Sequence, residues 1–453
     1  MSAFFFRYPS VCSHPDNVFP VGRPQVVIKK RDIEKLKITK DGAFFEGKEV
    51  HGLCHVKVDV APTFYPFLQI NENGKSFCAL CARCVKNKNE SVCKCKQKRK
   101  GLISVWTIPE LVQAVKNGDK IVEIYEALIY NQASAFLKEF LDVLSSYKIR
   151  HSKFTETCPV KLKKICDEIN QTMNFTDEEL ILTPEKLVYN EGQKDFYKLW
   201  ANTILGKFSQ DNERMFHEIV TNQQELNRWF NDPKFTVHEV LPIGSVVQLG
   251  IQPNRSLTKP NLSTQVVIGS YVTAYARIEM YRSLQPLWKD GVLLCYSDTD
   301  SAILKVPKNA RLKLPFGNSY RQWKDELPQG ATMQEYYGLG PKSYGYSYHH
   351  NGKLESVVKC KGFSLRAKNS VKVSDLKKMV EKRIRGEESV KTVLQFHIRI
   401  DKKKRKLYNK YSVKRLSSNI VSKRVKVLYE SKLLPVGYDL KMKNDPLCYD
   451  VKK

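Results

Sequence analysis

Apolar and polar residues alternate in short runs between residues 20 and 70, as in Gln25-Val-Val-Ile-Lys-Lys30 and His51-Gly-Leu-Cys-His-Val-Lys-Val-Asp-Val60. A period of two predicts strands with one covered face. The period changes at Ala135. Phe136, Leu137, Phe140, Leu141 and Leu144 recur at helical steps up to Ile149, and a second helical run covers about Asp195 to Phe208. A long helix is expected after Pro260, with Val267, Tyr271, Ala274, Tyr275 and Ile278 on one face and Pro286 at or just beyond its end. The stretch from Val292 to Val306 reads as a hairpin, two apolar strands around an acidic tip, and a Pro/Gly-rich connection follows near 307–330. Strands and helices mix without a βαβ rhythm, so the expected fold class is α+β.

Composition narrows the class. The chain has 453 residues, 42% of them hydrophobic and 11% aromatic, which suffices for a large core and excludes wholesale disorder. The length predicts about three domains. Lys and Arg number 76 against 47 Asp and Glu, a net charge of +29, so a polyanion is the expected partner and nucleic acid the first candidate. Charge alone also fits a ribosomal or membrane-surface protein. No run reaches the ~18 apolar residues of a membrane span. The three-Phe patch near the start is broken by Arg7 and Pro9, so secretion is not expected and the 12 Cys are read as reduced or metal-bound.

Four local patterns carry chemistry. Tyr296-Ser-Asp298-Thr-Asp300-Ser301 places two carboxylates between apolar strands. Acid beside an apolar sheet is costly without a compensating cation, and divalent metals suit carboxylate oxygens. Two such ions ~3.5–4 Å apart can activate a hydroxyl and stabilise a leaving pyrophosphate; a solvated turn is the other reading of the same residues. Lys198 and Asn202 stand four apart on the second helix, with Gly206 on the same face. A Lys there suits a triphosphate and a Gly permits close approach, although an ordinary amphipathic helix has the same spacing. Cys81-x-x-Cys84 followed by Cys93-x-Cys95 could form a tetrahedral Zn²⁺ site, with Cys78 a rival ligand and four unligated thiols the alternative. Finally, Asp401–Lys406 and Ser422–Lys426 concentrate Lys and Arg in the segment 376–453, and the Lys/Arg–Val alternation of 423–427 suits a strand with one basic face. Such runs fit phosphate neutralisation, a solvated face or, for Lys402–Lys406, a nuclear import signal.

Four blocks resemble B-family DNA polymerases in order and spacing. Tyr296–Ser301 resembles the family's Tyr-Gly-Asp-Thr-Asp-Ser motif, with Ser297 in place of the usual small residue. Lys198, Asn202, Gly206 and Lys207 match Lys-x-x-x-Asn-Ser-x-Tyr/Trp-Gly-Lys, with Thr203 for Ser and Leu205 where an aromatic is usual. Gly340-Pro-Lys342-Ser-Tyr344 resembles the Lys-x-Tyr motif that holds a primer terminus, and Lys361-Gly362-Phe363 the block after it. Phe4–Pro9 resembles the surroundings of the first motif in Maverick-type members. Tyr8 then matches the ring that excludes a ribose 2′-hydroxyl, and the metal-binding Asp position falls on Ala3. Asp59 in Asp59-Val-Ala-Pro-Thr-Phe-Tyr65 is a weaker substitute, because its Asp-to-Tyr spacing is six rather than five.

The resemblance, to the protein-primed group found in Maverick-type elements, adenoviruses and some phages, implies a right-hand fold of palm, fingers and thumb without the exonuclease domain. It implies addition of deoxynucleoside monophosphates to a 3′-hydroxyl, with Asp298 and Asp300 holding Mg²⁺, Lys198, Asn202 and Tyr8 on the nucleotide, and Lys342, Tyr344, Lys361 and Gly362 on primer DNA. Partners would be template-primer DNA, dNTPs and a terminal protein primer, with no membrane. Transposon-type members show Cys-x-x-Cys and Cys-x-His near 81–95, so Cys95 would replace a His and the Zn²⁺ would be structural. The implied division is 1–135 (palm portion and cysteine insertion), 136–211 (fingers), 212–375 (insertion and palm) and 376–453 (basic thumb). With Ala3 at the first-motif position, the chain reads as the polymerase half of a truncated, mis-started or decaying gene. A catalytically inactive relic that binds DNA is the alternative, and a zinc-ribbon-type nucleic-acid-binding protein is a third. The expected location is the nucleus or a viral replication site.

Overall fold

The computed structural model describes residues 2–5, 11–96 and 100–438, apart from 155, 176, 211–213, 255, 258–263, 311, 318–321, 365–366, 368, 402–403, 405, 419–424 and 427–432. Tyr8, most of the run 402–406 and residues 423–424 therefore lie outside the described residues. The chain forms two compact units. One comprises Met1–Asn202, Ser270–Gln395 and Ser412–Lys453; the other comprises Thr203–Gly269 and Phe396–Tyr411. Strands and helices are mixed in both, in keeping with the α+β expectation.

In the first unit, β1 (Ser2–Phe5) joins the sheet of the acidic hairpin. Strands β2 (Gln25–Val27), β3 (His51–Asp59), β4 (Leu102–Thr107) and β5 (Lys120–Tyr130) form another sheet in the order β4-β3-β5-β2. The alternation read in the sequence is real along β3, where Cys54, Val56 and Val58 are fully buried and the residues between them are partly open. Each buried Val contributes roughly 1.5–3 kcal/mol. Gly52 in the same strand has φ +136°, and a Cβ there would lie 1.9 Å from the Leu128 carbonyl oxygen, so only glycine lets β3 and β5 pair at that point.

Of the described helices before the long one, four bear on the expectations above. Helix α1 (Ala82–Lys86) is a single short turn, and α2 (Ile108–Lys116) starts at a Thr107/Glu110 capping box. The first expected helix is α3 (Leu137–Arg150), which buries Leu137, Leu141 and Leu144 while Phe136 and Phe140 stay partly exposed. The second is α4 (Glu191–Phe208).

The long helix α5 (Val266–Trp288) differs from expectation in two ways. It runs through Pro286 rather than stopping there. The ring removes one amide donor near the end, where only one short turn remains, and burial of Leu284 and Leu287 on either side keeps that turn helical. Its covered surface is also wider than one face: Ile268, Val272 and Ala276 are buried as well as Tyr271, Ala274, Tyr275 and Ile278. Arg277 on this helix places Nε and Nη2 3.0 and 2.6 Å from Glu110 Oε1, while Glu110 Oε2 accepts from Thr107. One buried carboxylate thus caps α2 and ties it to α5.

Tyr271 is fully buried, and its hydroxyl accepts from the Gly52 N–H at 2.6 Å and donates to the Gly52 carbonyl at 3.2 Å. Tyr271→Phe leaves both backbone groups dry and unpartnered. The expected cost is about 1–3 kcal/mol, read by chemical denaturation, with near-ultraviolet dichroism unchanged.

The second unit contains part of a two-stranded pair (Val390–Asp401 with Lys406–Ser417) and a three-stranded sheet with its own small core. Strands β6 (Phe216–Val220), β7 (Phe235–Ile243) and β8 (Val246–Pro253) run in the order β6-β8-β7. Helix α6 (Gln223–Asn231) contributes Trp229, which stacks edge-on to Phe216 and Phe235 beside buried Val220, Leu249 and Ile251.

Candidate active site

A four-stranded sheet of the first unit carries the acidic tip. Strands β9 (Leu293–Asp298) and β10 (Ser301–Lys305) pair antiparallel, and Cys295 forms a bulge between Leu294 and Tyr296. The sheet order is β9-β10-β1-β11, with β11 at Lys324–Asp325. Asp298 pairs with Ser301, which leaves Thr299 and Asp300 as a two-residue turn. Thr299 has φ +62°, an uncommon conformation for a β-branched residue. The Asp298 carbonyl accepts from Asp300 N–H at 2.7 Å and Ser301 Oγ at 3.1 Å, which holds the turn closed. Burial raises the Asp300 carboxyl to about 6, and the like charges of Asp298 and Glu326 push the same way against its own amide and Lys342. A freely solvated turn carboxylate would not be perturbed in this way.

Strand β1 lies beside the hairpin with Ala3 opposite Ile303 and Phe5 opposite Ser301. In register, Ala3, Ile303 and Tyr296 stand opposite one another across the three strands, as do Phe5, Ser301 and Asp298. Asp59 ends β3 opposite Lys120, in a sheet other than that of the hairpin.

The primer-type motif meets this tip. Strands β12 (Thr332–Gly340), β13 (Ser343–His350) and β14 (Lys353–Cys360) form a meander, and the turn joining β12 to β13 holds Lys342 at φ +56°. Lys342 Nζ lies 3.1 Å from Asp298 Oδ2, and its backbone N–H donates to Tyr296 Oη at 3.0 Å. The Tyr344 ring sits 4.6 Å from that of Tyr296. Tyr344, Tyr346 and Tyr348 then follow every second residue at centroid spacings of 6.4 and 6.2 Å along one face of β13. Lys361 N–H reaches Ser343 Oγ at 3.4 Å, and a Cβ on Gly362 would lie 3.1 Å from Lys414 Nζ. The structure thus gathers Asp298, Asp300, Lys342 and Tyr344 in one cluster, with Lys361 and Gly362 joined to it through Ser343.

Lys198, Asn202 and Gly206 stand on the exposed side of α4, and nothing lies within 4 Å of a Cβ built on Gly206. The helix is anchored at Tyr197, whose ring stacks on Tyr147 at 5.2 Å and on His151 at 6.1 Å.

The cysteine expectation gains geometry. Cys81, Cys84, Cys93 and Cys95 bring their sulfurs within 4.8 Å of one another; Cys78 is not among them. Tetrahedral Zn–S bonds of about 2.3 Å would separate sulfurs by about 3.8 Å, so the donor set fits one Zn²⁺. Burial raises the Cys81 and Cys84 thiols. Burial also opposes ionisation of Cys93, but the Cys95 amide and the neighbouring thiols outweigh it and lower that thiol.

Sequence reading missed Glu326, Lys414 and the structural part of Tyr296. The every-second-residue tyrosines of 344–348 were a usable signal for the ring ladder, whereas no local pattern marked Glu326.

No family model and no curated protein matches this chain. Among solved structures, phi29 DNA polymerase with primer-template DNA and incoming nucleotide is similar over 91% of this chain and 57% of its own, at 14% identity and a TM-score of 0.54. The same polymerase with single-stranded DNA aligns at 16% identity over 83% of this chain and 52% of its own, TM-score 0.47. The chain therefore spans little more than half of the phi29 polymerase, and over that length its fold is of the phi29 DNA polymerase kind.

Proposed function

We propose that the chain is a template-directed DNA polymerase of the protein-primed B-family type, with palm, fingers and thumb, extending a 3′-hydroxyl with deoxynucleoside monophosphates. One observation carries the reading: two motifs about forty residues apart, Tyr296–Ser301 and Gly340–Tyr344, meet through the 3.1 Å Lys342–Asp298 ion pair and the Tyr296–Tyr344 ring contact. The phi29 polymerase is bound to primer-template DNA and nucleotide in the structure this chain resembles, and the charge of +29 suits the same polyanion.

Asp298 and Asp300 would hold Mg²⁺, and Asp300's raised carboxyl fits a position where positive charge is needed. Bound there, the ion would lower the pKa of the primer hydroxyl and neutralise the departing pyrophosphate. Position 3 offers no carboxylate for a second ion, so the donor set fits one cation well and a pair poorly. Lys342 orients Asp298 and, with Tyr344, supports the primer terminus; Lys361 and Gly362 extend that contact to primer phosphates. Lys198 receives the triphosphate, Asn202 and Tyr8 contact the nucleotide, and a terminal protein supplies the priming hydroxyl. The cysteine cluster holds structural Zn²⁺. The nucleus or a viral replication site is the proposed location.

Extension of a labelled primer-template with dNTPs and Mg²⁺ or Mn²⁺ tests the reading. Elongation supports it. Salt-sensitive DNA binding without elongation under any divalent cation would favour the second reading, an inactive polymerase relic, which Ala3 supports. Absence of both would overturn both.

A further inference from the structure

Residues 434–438 return to the cysteine cluster. Leu80 N–H donates to the Val436 carbonyl at 2.8 Å, Val436 N–H to the Cys78 carbonyl at 3.3 Å, and Cys93 N–H to the Tyr438 carbonyl at 2.8 Å. Gly437 has φ +84°, and a Cβ there would fall 2.5 Å from Cys81 Cβ, so the segment lies directly on the first ligand. On its other side Leu434 joins buried Phe64, Tyr65 and Leu80, with Leu293, Leu294 and Tyr438 packed against them. Tyr65 Oη accepts from Leu294 N–H at 3.0 Å, and Leu294 sits in β9, the strand that ends at Asp298.

The cysteine loop has little else to hold its shape. Between Cys81 and Gly101 the described residues form the five-residue α1 and a bridge of Cys81 to Gly101, and Val85 is the one buried aliphatic side chain among them. Small lobes of this composition take their folding energy from the metal.

We propose that Zn²⁺ held by Cys81, Cys84, Cys93 and Cys95 acts as a clamp: it fixes the loop that grips residues 434–438, and through Leu434 and Tyr65 it steadies the strand carrying the acidic tip. The proposal rests on the Zn²⁺ reading of the cluster and not on polymerase activity.

Zinc content and amide hydrogen exchange of the full chain separate the two. The expected result is one Zn²⁺ per chain. Its removal by a chelator speeds exchange at Leu80, Cys93, Val436 and Leu294 together, by about tenfold or more, and added Zn²⁺ reverses the change. Gly437→Ala, which wedges the segment off Cys81 and leaves all four ligands, speeds exchange at 434–438 and weakens retention of Zn²⁺ against the chelator. A chain without stoichiometric Zn²⁺ overturns the metal site. Stoichiometric Zn²⁺ whose removal, or the Gly437→Ala change, leaves exchange at 434–438 untouched overturns the clamp alone.

Discussion

Asp300→Asn slows nucleotide incorporation by about 10³-fold and at the same time stabilises the protein. The amide keeps the size of the side chain but gives up an ionised ligand at the tip of the hairpin. A cation contact worth about 4 kcal/mol in the transition state corresponds to about 10³-fold in rate, measured as single-nucleotide extension. The stability change has the opposite sign. Asp300 titrates at about 6 in the fold against 3.8 as its ordinary value, because burial and the charges of Asp298 and Glu326 disfavour its ionised form. Below about pH 4 both folded and unfolded chains hold the proton and the two proteins are equally stable. Between pH 4 and 6 only the unfolded wild type releases it, so wild-type stability falls as pH rises; above 6 the whole difference is present. With solvent screening at this partly open site counted, the advantage of the amide is about 1–2 kcal/mol above pH 6. Thermal melts from pH 4 to 8 in chelator should show it, and Mg²⁺ should narrow the gap by stabilising only the wild type. An Asp300→Asn variant that still extends primers would remove Asp300 from the chemistry.

Ala3→Asp raises extension by about 10²-fold or more and lowers the Mg²⁺ concentration needed for half-maximal rate. The backbone register supports this expectation, since Ala3 is paired with Ile303 on the strand next to the hairpin and Ile303 with Tyr296, two residues before Asp298. A third carboxylate there would complete the donor set for a second ion. In chelator the same substitution should lower the melting temperature, because it adds negative charge to the strand next to the acidic hairpin. Greater Mg²⁺ affinity without faster extension would mean that metal supply does not limit turnover. Neither effect in a folded protein would show that β1 does not serve this site.

The acidic hairpin was legible because all of its information is local: apolar runs of strand length on either side of a charged tip. The Lys198/Asn202 helix and the alternation of β3 were legible for the same reason, since periods of 3.6 and 2 are written within a dozen residues. The cysteine group could be read from spacing, with Cys78 left as a rival to the set Cys81, Cys84, Cys93 and Cys95. Cys78 and Cys95 were equally near in sequence, and only folding brought the second and not the first to the other three sulfurs. Pro286 misled because a rule for isolated helices gave way to burial of its neighbours.

Chain chemistry by itself specified the strand and helix periods, the excess of positive charge, the paired carboxylates and the candidate thiolates, because each of these depends on residues close together along the backbone. Association between distant segments came only with the three-dimensional fold. Lys342 reaches Asp298, Glu326 adds its charge to Asp300, Tyr65 props Leu294 from 229 positions away, and Val436 lies on the cysteine loop. Such contacts depend on which sheet each strand joins and in what register, and burial of side chains from the whole unit selects that outcome, so no local pattern announces it.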